Sequence, residues 1–133
     1  MKNRVPSILA AAFGLLFLTT SPLLAHHGAA AYDSKMTTLT GTVTEFRFIQ
    51  PHPLIYLDVK NSNGDVEKWF VEMTAPNHLV HYGWSSHRIQ AGEVIKVTGH
   101  VAKSGSKVLN LSKIYEKNGT EIPLGPPPSA DQQ

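Results

Sequence analysis

The sequence contains no cysteine. That absence excludes disulfides, thiolate metal sites, cysteine nucleophiles and a lipidated cysteine anchor together. An excess of charge is also missing once the chain is divided at its natural boundary. Lys2 and Arg4 lie in an N-terminal segment that carries no acidic residue, and 12 Lys+Arg stand against 10 Asp+Glu in the whole chain. Beyond residue 25 the two signs balance. A neutral domain lacks the basic face that general nucleic-acid binding needs, so no nucleic-acid partner is expected. Exposed aromatic stacking arrays are not evident either. The sequence has no P-loop, no dinucleotide-binding glycine fingerprint, no GxSxG and no HExxH.

Only one long apolar run occurs, "ILAAAFGLLFL" at 8–18. Positive residues precede it, Ser21-Pro22 breaks it, and the small residue Ala25 follows. That pattern is expected of a secretory signal peptide, 1–25, cleaved after Ala25. The run is short of the roughly 20 residues a membrane span requires. The mature chain of about 108 residues is then expected in the periplasm or outside the cell, off the membrane, with enough length for one small core.

Past the boundary, 26–37 reads as an N-terminal arm without a clear period. "LTGTVTEFRFI" (39–49) is rich in β-branched and aromatic residues and reads as a long strand. Its alternation slips between Val43 and Phe46, which a bulge near Glu45 explains. "QPHP" must leave the strand, because its prolines lack donors. "LIYLDVK" (54–60) places Ile55, Leu57 and Val59 on one face, and "VEKWFVEM" (66–73) does the same with Trp69, Val71 and Met73. Asn63-Gly64 between them is a hairpin signal. "TAPNHLVHYG" (74–83) reads as a short helix capped by Thr74, with Pro76 in its first turn and Gly83 at its end. Leu79 and Val80 would supply its core face. Strands at 93–102 and 107–116 and a short piece at 120–124 follow. A polar, proline-rich tail, 125–133, is expected to be disordered.

Three strands, a short helix and two more strands is the order of a five-stranded OB-like barrel, placed at 38–124. The fold class is therefore all-β with one short helix, with a β-sandwich as the alternative.

Seven histidines are the most chemically distinctive content. Cleavage after Ala25 would give His26 a free α-amine beside its imidazole. The two nitrogens close one chelate ring, and an amine of ordinary pKa near 8 yields its proton to a metal near neutrality. His27 adds a second imidazole. Sulfur-free nitrogen ligation of planar tendency suits Cu(II) best, ahead of Ni(II), while Zn(II) accepts the same donors tetrahedrally. His52, locked between Pro51 and Pro53, is a rigid third candidate. The metal ligands expected are thus His26, His27 and His52. They require the arm to fold back along the first strand.

The other histidines read as ordinary. His78 and His81 share a helix face but lack a carboxylate, His87 follows two serines, and His100 shares the solvent-side parity of Thr98 and Lys96. Asp33 reads as a tether of the arm rather than a ligand, and Trp69 and Trp84 as core or rim aromatics. Asn110 and Asn118 sit in sequon triplets that arise commonly by chance. No acid–base constellation accompanies the histidines, so binding or delivery of a metal ion, or to an exported protein partner, is expected ahead of catalysis. An OB-like module for a small molecule, glycan or protein partner is the competing expectation.

Several short motifs occur in a specific order: His26-His27, Tyr32-Asp33, Gly41 to Phe46 ("GTVTEF"), Pro51-His52 leading into "LIYLDV", Pro76-Asn77 with Leu79, Gly83-Trp84 and Gly92-Glu93. In this the chain resembles a family of small exported bacterial proteins of unknown function. Gln50 and Pro53-Leu54 stand where that family often has an asparagine and an aromatic. The resemblance implies export, a mature His-His start and an OB-like barrel, and it implies no established activity.

Overall fold

The structure, a computed structural model, describes residues 28–126. The expected signal peptide, His26, His27 and most of the expected tail lie outside the described residues. Six strands form in the order β1 (Tyr32–Arg47), β2 (Leu54–Lys60), β3 (Val66–Glu72), β4 (Val94–Ala102), β5 (Val108–Glu116) and β6 (Glu121–Ile122), with a single helical turn, α1 (Pro76–Leu79), between β3 and β4. Neighbours run β3-β2-β1-β4-β5-β6, and a parallel pairing of β3 with β5 closes the ring. All other pairings are antiparallel. A ring of five strands, with the helix between the third and fourth, is an OB-like fold and excludes the open two-sheet sandwich.

The alternation seen in the sequence is the alternation of burial. Ile55, Leu57, Val59, Trp69, Val71 and Met73 all face inward and are buried. Val43, Val97, Leu109 and Ile114 meet them from the other strands, while Leu79, Trp84 and Ile89 close one end. No polar side chain is buried among the described residues. Each buried indole donor is still paired: Trp84 Nε1 donates to the Pro123 carbonyl at 2.7 Å and Trp69 Nε1 to Glu67 Oε2 at 3.1 Å.

The first strand differs from its expected bounds. It starts at Tyr32 rather than Leu39 and stops at Arg47 rather than Ile49. Within residues 32–37, read as part of the arm, Tyr32, Met36 and Thr37 pair with Ala102, His100 and Gly99 of β4, and the register shifts between Tyr32 and Met36. Most of this stretch is exposed, so no apolar period reveals it, and only the partner strand imposes the extended form. The expected bulge is present: Val43 opposes Leu57 and Glu45 opposes Tyr56, leaving Thr44 as the extra residue. A second lies in β5, where the register passes from Thr98↔Lys113 to Gly99↔Leu111. Bulges strengthen twist, which a strand shared by both halves of a ring requires.

The helix is shorter than "TAPNHLVHYG" suggests. Ala75, not Thr74, holds the N-cap position, and no side chain caps it. Pro76 does sit in the first turn, and Gly83 (φ 81°) ends the 3₁₀ turn that follows. Pro76 and Leu79 are buried, but Val80 is 50% exposed, because the helix is one turn long and ends before Val80.

Candidate functional site

Closure of the ring decides what lies near His52. Arg47 opposes Leu54, Leu54 opposes Glu72, Glu72 opposes Asn110, Asn110 opposes His100, and His100 opposes Met36. This circuit leaves β1 near its end and rejoins it eleven residues earlier. The two ends of β1 are thereby brought towards one another, as strand stagger in a small barrel demands. Directly opposed residues point to the same side, so these six form one outward row.

His52 lies beside this row, in the loop that links Arg47 to Leu54. Its Nδ1 is 3.1 Å from the Met73 carbonyl oxygen. A carbonyl only accepts, so Nδ1 is the donor, and this tautomer puts the ring's lone pair at Nε2. The Met73 amide in turn donates to the Pro53 carbonyl at 3.0 Å, which pins the loop to the end of β3. His52 Nε2 stands 3.8 Å from Glu72 Oε1, with the two side chains 46% and 29% exposed. That gap is too long for a hydrogen bond. The other carboxylate oxygen of Glu72 accepts from the Tyr32 hydroxyl at 3.1 Å. Tyr32 is the first residue of β1, so the segment entering the barrel meets the segment leaving β1 through one carboxylate.

The Tyr32 hydroxyl has its pKa raised, first by burial and then by the charge of Glu72 and its hydrogen bond, with Asn110 acting weakly in the opposite direction. The phenol therefore stays protonated as a donor to Glu72. A cleft of about 280 Å³ adjoins these groups, lined by Ala31, Tyr32, Glu72, Ala102, Ser104 and Val108 among others. A larger cleft of about 520 Å³ lies on another side, between Arg88 and the β5–β6 turn. Two of the four charged residues that line it are paired, Arg88 Nη2 with Glu116 Oε1 at 3.2 Å.

Among the described residues, no group of three or more His, Asp or Glu side chains converges on a common point. His52 and Glu72 supply two donors. His26 and His27 lie outside the described residues, yet the described chain begins at Gly28, four residues before Tyr32. Ala29–Ala31 form a 3₁₀ turn, with the Ala31 amide donating to the Gly28 carbonyl at 2.9 Å, just before Tyr32.

Other expected residues separate cleanly. His78 Nε2 lies 3.0 Å from the Leu124 carbonyl oxygen and its ring packs beside Tyr82, while His81 and His87 are exposed. His100 Nδ1 lies 2.8 Å from the Asp33 carbonyl oxygen. The tether at Asp33 is thus its backbone, and its carboxylate accepts from the Lys35 amide at 3.2 Å. Asn110 is half-buried in the outward row, and Asn118 Oδ1 accepts from the Thr120 amide in the β5–β6 turn. Glu72 and Tyr32 escaped sequence reasoning as site residues. Glu72 reads as a routine outward strand carboxylate, and no local signal distinguishes it.

No helix of the described residues is long and apolar enough to cross a membrane. No curated protein matches the chain. Among solved structures it is similar to TiaS in complex with an isoleucine tRNA and ATP, with 22% identity and TM-score 0.46 over 62% of this chain and 18% of that one. It is also similar to the N-terminal domain of PriB from Thermoanaerobacter tencongensis, with 14% identity and TM-score 0.44 over 68% of this chain and 99% of that one. The chain spans less than a fifth of the TiaS structure. A family model matches residues 15–110, and the chain belongs to that family of unknown function, DUF6152.

Proposed function

We propose that this is an exported metal-binding protein, with Cu(II) as the preferred ion and His26, His27 and His52 as nitrogen donors. The observation that supports it most is the setting of His52. Its Nδ1–H is held by a backbone carbonyl and its Nε2 faces outward beside a carboxylate. Metal-bound histidines characteristically use the second ring nitrogen in this way, and a ligating carboxylate is itself hydrogen-bonded, as Glu72 is by Tyr32. Imidazole and amine donors with one carboxylate suit Cu(II) over softer or harder ions.

The amine of His26 exists as a ligand only if the chain starts there, which ties the reading to export. The test is Cu(II) titration of the protein starting at His26 against the same chain with one residue added before it. The expected result is a marked loss of affinity in the extended form and in His52→Ala. Equal affinity in all three refutes the chelate. Mass spectrometry of the exported protein gives its first residue and any retained metal together.

A second reading is favoured by the 280 Å³ cleft, whose Tyr32, Glu72 and Ser104 groups could orient a small polar molecule. A ligand screen unaffected by the double substitution His26→Ala, His52→Ala supports that reading instead.

A further inference from the structure

The outward row contains a second pair of donors that the Cu(II) reading does not use. Met36 on β1 and His100 on β4 are directly opposed. Directly opposed residues of antiparallel strands present their side chains to the same face, with Cβ atoms about 4.5–5.5 Å apart. His100 Nδ1 donates to the Asp33 carbonyl at 2.8 Å, which fixes the tautomer and leaves the lone pair on Nε2. Met36 is 46% exposed. It stands among Ser34, Lys35, Thr37 and Thr38, and adds nothing to the core.

The sulfur inventory sharpens the point. The chain has no cysteine and three methionines. Met1 belongs to the expected signal segment, and Met73 is buried in the barrel at 2% exposure. Met36 is therefore the one thioether that the described residues offer to solvent, and it faces an imidazole of fixed tautomer. A soft thioether with an imidazole selects a soft monovalent ion rather than Cu(II), Zn(II) or a hard cation. Bonds of about 2.0 Å to nitrogen and about 2.3 Å to sulfur, typical of ions of this size, span about 4.3 Å when collinear. Two side chains that start one strand spacing apart can meet that span while keeping to ordinary rotamers.

We propose that Met36 Sδ and His100 Nε2 form a Cu(I) site on the outer face of the ring, at the junction of β1 and β4. The ion is held by a thioether that is 46% exposed and an imidazole that is half-buried on the outer face, so it is open to exchange with a partner or a competing chelator. The site shares no donor with the His26, His27 and His52 set, and it stands or falls separately from that reading.

The test is anaerobic titration of the protein with Cu(I) in competition with a chromophoric Cu(I) chelator. Wild type is expected to bind one Cu(I). Met36→Leu, which keeps size and apolar character at an exposed position, is expected to weaken binding at least tenfold without moving the urea midpoint. His52→Ala is expected to leave Cu(I) affinity unchanged while it weakens Cu(II) binding. Wild-type Cu(I) affinity in Met36→Leu overturns the proposal. Loss of Cu(I) binding in His52→Ala but not in Met36→Leu also overturns it and assigns both oxidation states to the His52 site. As a readout free of mutation, one equivalent of Ag(I) is expected to shift the Met36 methyl resonance and leave that of Met73 in place. An unmoved Met36 methyl refutes the pair.

Discussion

Tyr32→Phe removes one oxygen and tests the junction at which the chain's entry, the end of β3 and the His52 loop meet. The hydroxyl donates to Glu72 at 3.1 Å. A hydrogen bond to a charged group contributes about 1.5–3 kcal/mol when buried. Glu72 is 29% exposed, so water replaces part of the lost donor. The expected destabilisation at pH 7 is then about 1 kcal/mol. For a domain of this size that corresponds to a fall in Tm of about 4–8 °C.

The pH dependence gives the prediction its edge. Tyr32 has its pKa raised in the folded state by burial and by Glu72. The contribution of a group raised in the fold is complete below the unfolded value, about 10, and is lost as pH rises through the folded value. The gap between wild type and Tyr32→Phe should therefore hold constant from pH 7 to about 9 and narrow above about 10. Urea unfolding at several pH values reads it, with fluorescence of the buried Trp69 and Trp84 as the signal. A gap of zero at pH 7, or one that stays constant to pH 11, refutes the coupling of Tyr32 to Glu72.

Gly99→Ala places a methyl against the Asn110 backbone and Leu109 at the β5 bulge, so a loss of about 1–3 kcal/mol or more with an unchanged urea m-value is expected. Leu109→Ala, at a fully buried position, should cost about 2–5 kcal/mol, whereas Val66→Ala, at 55% exposure, should stay within about 0.5 kcal/mol. Equal costs for the two would place the core elsewhere. Glu72→Gln keeps an acceptor for Tyr32 but removes the charge beside His52. Cu(II) affinity, measured by competitive titration, should fall by about tenfold or more, with little change in Tm.

Much of the barrel is legible in the chain because its signals are local. Ile55, Leu57 and Val59 alternate with polar neighbours, Asn63-Gly64 supplies the turn, and the slip after Val43 announces the bulge. Where burial is absent the signal fails. Tyr32 to Thr37 form a strand because β4 pairs with Tyr32, Met36 and Thr37, and Thr74 looks like a cap although the helix begins one residue later. His52 stands out through its prolines, while Glu72 and Met36 do not, since each acquires its meaning from a partner far away in sequence.

The sequence alone determines the neutral domain beyond residue 25, the absence of every thiol chemistry, the strand faces and the order of elements. These follow from composition and from the period-2 geometry of a strand, which needs no knowledge of its neighbours. Tertiary structure alone decides that the ends of β1 approach one another, that Tyr32 reaches Glu72 beside His52, and that Met36 faces His100. The reason is the stagger of a closed ring. Pairing β3 with β5 fixes a shift of eleven residues along β1, and that shift depends on five registers together rather than on any one segment.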